Sequence, residues 1–168
     1  DGVFTGCSAV TEITVDPNNK YYSNDNYGVL FNKNKTILIQ YPVGNERTSY
    51  TVPEGVTDIY ERAFRYSSYL ESVTVSDSVV NIGAGVFEYC SSLSYVKIGS
   101  SVASIGDSAF IDCPVLNEIK VDGNNAYYSS DEYGVLFNKD KTLLIQYPSG
   151  NTRNEYVVPD SVLYIGNS

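Results

Sequence analysis

Residues 4–62 of this chain recur without a gap at residues 110–168. Aligned at an offset of 106, the two segments are identical at 34 of 59 positions. Shorter repeats lie between the copies, since Phe64, Phe87 and Phe110 are separated by 23 residues each. The offset therefore contains one long unit and two short ones. A repeat period of ~20–50 residues is typical of solenoids, in which each unit buries its apolar face against its neighbours.

The repeat boundaries predict a single domain. A long unit spans residues 4–63, short units span 64–86 and 87–109, and a second long unit occupies 110–168. No linker rich in proline, serine or one charge breaks this register, so we treat residues 1–168 as one solenoid. Because the chain starts and stops within a repeat, we interpret it as a fragment of a longer array.

Apolar residues hold fixed positions in every unit. Between Ile105 and Leu116 they come three or four residues apart, which predicts a short helical turn. Ile119 and Val121 then alternate with polar residues, as in a strand buried on one face. A glycine such as Gly106 follows the inward isoleucine, where we expect the chain to turn.

Each long unit contains two β-rich runs around a polar turn. In the first copy they begin at Gly28 and Thr36, on either side of Asn32–Lys35. The second copy spans Gly134–Tyr147 with the same pattern. This arrangement predicts a β-hairpin module inserted into each long unit.

One motif recurs across the units. Ser-Val-x-x-Ile-Gly stands at 78–83, 101–106 and 161–166, and an Ala-Phe pair is followed at the third and sixth positions by Cys113 and Leu116. This pattern resembles the BspA-like leucine-rich repeats over essentially the whole chain. Departures such as Ser67 in place of cysteine are packing variants.

The resemblance implies a fold and a setting. The fold is a β-rich leucine-rich-repeat solenoid, in which short strands stack into a continuous sheet with short helical turns, here with two inserted β-hairpin modules. The setting is a secreted or surface-attached bacterial protein that binds proteins of a host or of a neighbouring cell. We therefore expect an extracellular or cell-surface location.

The charge balance disfavours two classes of partner. Asp and Glu outnumber Lys and Arg by 20 to 11, which gives a net charge of −9. An acidic surface repels phosphate backbones and anionic headgroups, so we expect no nucleic acid or membrane-surface partner. No run of ~18 apolar residues exists, so we expect no membrane insertion.

The residues for common enzyme mechanisms do not converge. Histidine is absent, which excludes a Ser-His-Asp or Cys-His arrangement. Glu12 and Glu118 share an outward position but lie several coils apart, beyond the ~5–9.5 Å of paired glycosidase carboxylates. We predict no enzymatic activity and no cofactor.

Cys7, Cys90 and Cys113 occupy the same inward position of three units. Stacked coils would bring Cys90 and Cys113 within disulfide reach. The favoured alternative is a small apolar residue, because Ser67 fills the same position without a partner.

Acidic and amide side chains cluster after the strand of each long unit. They are Asp16, Asn18, Asn19 and Asp25, with copies at Asp122, Asn124, Asn125 and Asp131. Their oxygens could bind calcium. Turn formation through bonds to their own backbone is favoured, so no metal site is predicted.

Tyrosine is unusually frequent, with 16 residues and no tryptophan. Ten of these tyrosines occupy paired positions of the two long units, which indicates packing of the modules. Tyr66 and Tyr89 share a position on adjacent coils and are expected to stack. Tyr95 is expected to point outward beside the Lys97 and Lys120 position.

We interpret the chain as a non-catalytic adhesion module for a protein partner. The candidate ligand-binding surface consists of Tyr95, Lys97, Glu118 and Lys120, extended by Tyr66, Tyr69 and Tyr89. One alternative is a structural spacer with featureless outward positions. Another is a carbohydrate-binding surface, which requires tyrosine ring faces left open.

Overall fold

The computed structural model describes residues 3, 4 and 6–166. These residues form fourteen short strands and no helix. In chain order the strands are β1 (Tyr22–Asn24), β2 (Leu30–Asn32), β3 (Ile37–Gln40), β4 (Ser49–Thr51), β5 (Asp58–Ile59), β6 (Ser72–Thr74), β7 (Asn81–Ile82), β8 (Tyr95–Ile98), β9 (Ser104–Ile105), β10 (Glu118–Val121), β11 (Tyr128–Ser130), β12 (Leu136–Asn138), β13 (Leu143–Gln146) and β14 (Tyr164–Ile165).

Parallel pairing between successive units builds a solenoid with a sheet on two sides of each coil. The first sheet has the order β1-β2-β3-β5-β7-β9 and the second the order β10-β8-β6-β4, while β11-β12-β13-β14 form a third sheet. Pairing places Val73 beside Val96 and Ile59 beside Ile82. Equivalent residues of successive units thus stand in register, so the predicted solenoid is confirmed.

The predicted apolar positions face a common core. The rings of Phe64, Phe87 and Phe110 stack along it at centroid distances of 5.4 and 5.5 Å. Tyr41 of the first module extends the stack, 5.3 Å from Phe64. All four rings are buried. Burying an aromatic side chain of this size contributes about 1.5–3 kcal/mol, so this column is a main source of stability.

The inward positions are not buried everywhere. In the outermost described coils, Val3 occupies the position of Ala63 and Ile165 occupies the position of Ile59. Both residues are exposed. No further unit packs on them within the described part of the chain. Burial therefore depends on a neighbouring coil, as expected for a solenoid.

The predicted helical turns are instead consecutive β-turns. Cys90 N–H donates to Phe87 O and Leu93 N–H to Cys90 O, both at 3.2 Å, so the spacing of three arises from successive i to i+3 bonds. Tyr89 has a φ of 60°, in the left-handed region. A left-handed residue within each coil interrupts a right-handed helix, which explains why no helix forms.

Close approach between coils explains the glycine after the inward isoleucine. A Cβ on Gly106 would lie 2.5 Å from Ala84 N, and one on Gly83 would lie 2.6 Å from Glu61 N. Neither glycine has a positive φ. Glycine is therefore required at these positions because the neighbouring backbone leaves no room for a side chain, and not because the chain turns there, as the sequence analysis expected.

Both predicted hairpins are present, and each belongs to a three-stranded antiparallel meander. β1 pairs with β2 and β2 with β3, and the second module repeats this with β11, β12 and β13. The last strand of each module then pairs in parallel with the next coil, β3 with β5 and β13 with β14. The modules are therefore built into the solenoid rather than merely attached to it.

The first sheet ends where the second module begins. Ile105 N–H, on the free edge of β9, donates to Tyr128 Oη at 3.1 Å instead of to a strand. Buried Asn125 donates from Nδ2 to Gly99 O and Val102 O, each at 2.9 Å. At this junction, hydrogen bonds to side chains of the module thus replace strand pairing.

Candidate functional site

The outward face of the second sheet carries two rows of side chains in register. One row is Ser49, Ser72, Tyr95 and Glu118, and the other is Thr51, Thr74, Lys97 and Lys120. Inward residues between them, such as Val96 and Ile119, are fully buried. Tyr95 and the two lysines lie on the outward face, as the alternation predicts. Towards β4 the face is hydroxyl-rich, and towards β10 it is charged.

Two lysines face each other across neighbouring strands. Lys97 and Lys120 are register partners on β8 and β10, which lie about 4.8 Å apart. Lys120 Nζ is 4.0 Å from Glu118 Oε1, and both side chains are about half exposed. Partial burial and the Glu118 charge raise the pKa of Tyr95, so its hydroxyl stays neutral at physiological pH. The face thus offers two ammonium groups and a phenol on an acidic protein.

Tyr66 and Tyr89 lie on the runs of β-turns at residues 61–66 and 84–89, which we call the turn side of the coils. Their rings stack at 4.9 Å with an interplanar angle of 7°, which confirms the expected stacking. The Arg65 guanidinium lies 4.8 Å and 5.4 Å from the two ring centroids, and Arg65 Nε is 2.9 Å from Glu88 Oε2. The nearby Asp112 charge raises the pKa of Tyr89. This group is a stacked and ion-paired surface element.

The stacked pair of Tyr66 and Tyr89 lies on turns, whereas Tyr95, Lys97, Glu118 and Lys120 lie on β8 and β10. No ring contact joins Tyr95 to Tyr66, Tyr69 or Tyr89 in the described part of the chain. Tyr69 is 48% exposed.

A further arrangement, missed by the sequence interpretation, occurs in both modules. Arg47 lies 3.9 Å from the Tyr27 ring centroid, and Arg153 lies 3.8 Å from that of Tyr133. In the first copy Tyr50 Oη also donates to Asp25 at 2.8 Å. The sequence did contain a signal for this contact, because each arginine follows its tyrosine by the same number of residues in the two modules. The paired tyrosines are thus mixed in role, since Tyr50 is buried and Tyr27 is exposed.

The Asx clusters act as turn formers. Asp16 Oδ1 accepts from Asn18 N–H at 2.8 Å, and Asn19 Oδ1 accepts from Tyr21 and Tyr22 N–H at 2.8 and 2.9 Å. Asn125 Oδ1 accepts from the corresponding pair in the second module. Their oxygens satisfy local backbone donors, as the favoured interpretation states.

The inward cysteines are free thiols bonded to the neighbouring coil. Cys90 Sγ donates to Phe64 O and Cys113 Sγ to Phe87 O, each at 3.0 Å. Burial raises the pKa of Cys113 to about 12 and shifts that of Cys90 in the same direction. Because folding raises both pKa values, this contribution to stability is complete below the unfolded thiol pKa of about 8.5. It is lost as the pH rises towards 12.

We expect one reactive thiol per folded chain. At about pH 8 a thiol reagent should modify half-buried Cys7, while Cys90 and Cys113 should react about 1,000-fold more slowly because little thiolate is present. Mass spectrometry of labelled peptides measures this. All three should react in concentrated guanidinium chloride, and Cys7→Ser should abolish labelling of the folded chain. Labelling of Cys90 at the rate of Cys7 would contradict buried thiols.

The repeat pattern and the coil geometry identify the family. The family described as BspA type leucine rich repeat region matches residues 44–153 of this chain, in 6 copies. The chain belongs to this family. No curated protein is significantly similar to it in sequence.

Solved structures share the fold of this BspA-type chain. A leucine-rich repeat protein from Eubacterium ventriosum superposes with a TM-score of 0.69 at 25% identity, covering 99% of this chain and 45% of that protein. The pneumococcal vaccine antigen PcpA matches with a TM-score of 0.53 at 22% identity, covering 86% of this chain and 44% of the antigen. A leucine-rich cell surface protein from Faecalibacterium prausnitzii matches with a TM-score of 0.53 at 22% identity, covering 95% of this chain and 42% of that protein. This chain thus spans less than half of each of these proteins.

Leucine-rich-repeat proteins of this kind are generally non-catalytic scaffolds that mediate protein interactions. Within residues 3, 4 and 6–166, no group of three or more Cys, Asp or Glu side chains is placed to hold a metal ion. The same residues contain no helix suited to crossing a membrane.

Proposed function

We propose that this BspA-type solenoid is a non-catalytic protein-binding module of a secreted or surface-attached bacterial protein. The binding surface is the outward face of the second sheet, centred on Tyr95, Lys97, Glu118 and Lys120. Residues 1–168 act as one unit in this proposal, with the long and short repeats described above. The cell-surface description of the Faecalibacterium protein supports the location.

The observation that carries the proposal is the in-register pair of Lys97 and Lys120. Like charges directly opposite each other on a sheet destabilise it. The corresponding residues on β4 and β6 are Thr51 and Thr74, which have no such repulsion. Glu118, 4.0 Å from Lys120 Nζ, offsets part of this repulsion, and the remaining cost is a departure from local stability. A ligand that neutralises the pair accounts for it.

The chemistry of the face favours an acidic protein surface as partner. Carboxylates of the partner would lie between the two ammonium groups, and the Tyr95 ring would supply apolar contact area with little loss of conformational entropy. The hydroxyl-rich end of the face, at Ser49 and Thr51, would provide hydrogen bonds at the rim. The overall acidity of the chain would oppose anionic partners that do not match this local geometry.

The geometry gives less support to a carbohydrate surface built on the turn-side tyrosines. Sugar rings stack on open aromatic faces, but Tyr66 and Tyr89 cover one face of each other. Arg65 also lies over both rings. Tyr95 retains an accessible ring, so a glycan remains an outcome of the test. A spacer role predicts that no ligand is retained at all.

Replacing Lys97 by threonine should separate stability from binding. Removal of the repulsion should raise the unfolding free energy by about 0.2–1 kcal/mol. Loss of one ammonium group should weaken binding about threefold to tenfold and reduce its salt dependence. Denaturant titration measures the stability, and a pull-down from host-cell surface extract, with a parallel glycan array, measures retention.

Two further variants complete the experiment. Tyr95→Ala should also reduce retention, whereas Lys20→Ala, a lysine outside the second sheet, should leave it unchanged. A wild-type chain that retains nothing in either assay would establish the spacer function. Equal retention by the Lys97 and Lys20 variants would exclude the second sheet as the binding face.

A further inference from the structure

Backbone bonds on the turn side connect each coil to the next. Three N–H groups, two residues apart, donate forward to three carbonyls of the following coil. The first set of these bonds runs from Arg62 to Ala84, Phe64 to Val86 and Tyr66 to Glu88, each at 3.0 Å. The second set, one coil later, runs from Gly85 to Asp107, Phe87 to Ala109 and Tyr89 to Ile111, at 3.0, 2.8 and 3.1 Å.

This pattern stops before the second module. The next donors in the series are the N–H groups of Ser108, Phe110 and Asp112, and none has an acceptor among the residues that the structure describes. Phe4 and Gly6 hold two of the equivalent positions before the first module, and their N–H groups likewise find no acceptor in the described chain. The interruption is therefore a property of the coil that precedes a module.

Each module places a side-chain amide next to the interruption. Tyr147 is the counterpart of Tyr41, which takes the place of the phenylalanine in the ring stack of the first copy. Its carbonyl accepts from Gln146 Nε2 at 2.9 Å, and the Tyr41 carbonyl accepts from Gln40 Nε2 at 2.8 Å. In both modules a glutamine side chain thus hydrogen bonds to the carbonyl of the tyrosine that aligns with the ring column.

A cleft of about 410 Å³ lies at this junction. Ile105, Ser108 and Phe110 form one wall, and Tyr128, Leu143 and Ile145 form the other. This volume falls within the range of about 300–1,000 Å³ typical of ligand sites, which often occur between structural units. Ile105, Leu143 and Ile145 are only partly buried. The cleft therefore combines the unpaired N–H groups of Ser108 and Phe110 with partly accessible apolar side chains, and the Asp112 N–H lies two residues beyond its lining.

We propose that the cleft binds a peptide segment of a partner protein, which adds its backbone to the turn side in the conformation that residues 107–111 adopt against the preceding coil. Ser108 and Asp112 have φ angles of 56° and 54°, so these donors lie on a run of turns and match carbonyls at alternate residues of a second such run. One coil earlier, carbonyls with this spacing at 107, 109 and 111 satisfy the corresponding donors. The apolar walls favour a peptide with an aliphatic or aromatic side chain beside these carbonyls. This site is separate from the second sheet and does not depend on it.

A peptide taken from this chain provides a probe. An acetylated and amidated peptide of Gly83–Tyr89 contains the carbonyls that accept from the first short unit. With isotopically labelled protein, NMR titration should shift the amides of Ser108, Phe110 and Asp112, and bound peptide should slow their hydrogen exchange. The dissociation constant should be about 0.1–1 mM, as expected for a few backbone bonds and one apolar anchor. The amides of Phe64 and Tyr66, already paired, should not shift.

A cleft-blocking variant tests the location. Ser108 has a φ of 56°, and Arg62 already carries a long side chain at the equivalent position with a φ of 58°, so Ser108→Gln should preserve the fold. We expect it to weaken peptide binding at least about tenfold, while Ser101→Gln, on the exposed part of the same coil, should have no effect. The proposal is overturned if the three amides do not respond, or if Ser108→Gln binds as wild type. It is also overturned if sodium acetate alone reproduces the shifts, because the site would then recognise an anion.

Discussion

Asn125→Ala should lower the unfolding free energy by about 3–5 kcal/mol. Its fully buried side chain donates to Gly99 O and Val102 O and accepts from Tyr127 and Tyr128 N–H. Truncation removes four hydrogen bonds at the junction between the second short unit and the second module and leaves Val102 O, Tyr127 N–H and Tyr128 N–H without a partner, while Gly99 O keeps a 3.5 Å bond from Val102 N–H. Each net hydrogen bond contributes about 0.5–1.5 kcal/mol, and buried unpaired groups cost more. Denaturant titration followed by circular dichroism measures the change.

Asn19→Ala is the matched control. Asn19 occupies the same position in the first module and accepts from Tyr21 and Tyr22 N–H. No acceptor for its Nδ2 lies within the described chain, so only the local turn should be affected, at a cost of about 0.5–1.5 kcal/mol. Equal effects of the two substitutions would show that the contacts across the junction contribute nothing beyond the turn.

Phe87→Ala should cost about 3–5 kcal/mol, because it leaves a cavity in the middle of the ring column. The ring is fully buried between Phe64 and Phe110, at 5.4 and 5.5 Å, so neighbouring coils cannot collapse onto the space without losing their register. Stacked repeats depend on their interfaces, so this loss affects two interfaces at once. Thermal and denaturant unfolding measure it.

Tyr89→Ala serves as the comparison for Phe87. It removes a ring of similar size from the same coil, but Tyr89 is 38% exposed and stacks on Tyr66 alone. We expect a loss of about 0.5–1.5 kcal/mol. If Tyr89→Ala were as damaging as Phe87→Ala, the turn-side tyrosines would have to be part of the core rather than a surface element.

The repeat period predicted the elements that depend on stacking. Its 23-residue offset placed Phe64 beside Phe87 and Tyr66 beside Tyr89, and both pairs of rings stack. The hairpins were predictable from polar turn residues between β-rich runs. The helical turns were wrong because a spacing of three suits both a helical turn and consecutive β-turns. The left-handed φ of Tyr89, which separates the two, has no signature in the residue type.

The candidate site was only partly predictable for a related reason. Alternation along β8 and β10 placed Tyr95, Lys97 and Lys120 on the outward face, and in-register stacking paired the lysines. The path of the chain between the turn side and the second sheet determines whether Tyr66 and Tyr89 join them. That path depends on turn geometry, so sequence spacing did not reveal that they form a separate group.

Periodicity by itself determined which residues face inward. Each unit packs the same positions against its neighbour, so apolar residues recur at a fixed spacing along the chain. Only the tertiary structure decided where the stacking is interrupted. At the junction between β9 and the second module, the free groups belong to the backbone of Ser108, Phe110 and Asp112, and every residue type has the same N–H group. The module meets this coil through side chains, since Tyr128 Oη accepts from Ile105 N–H and Asn125 Nδ2 donates to Gly99 O and Val102 O. A pattern of side chains along the chain does not record that arrangement.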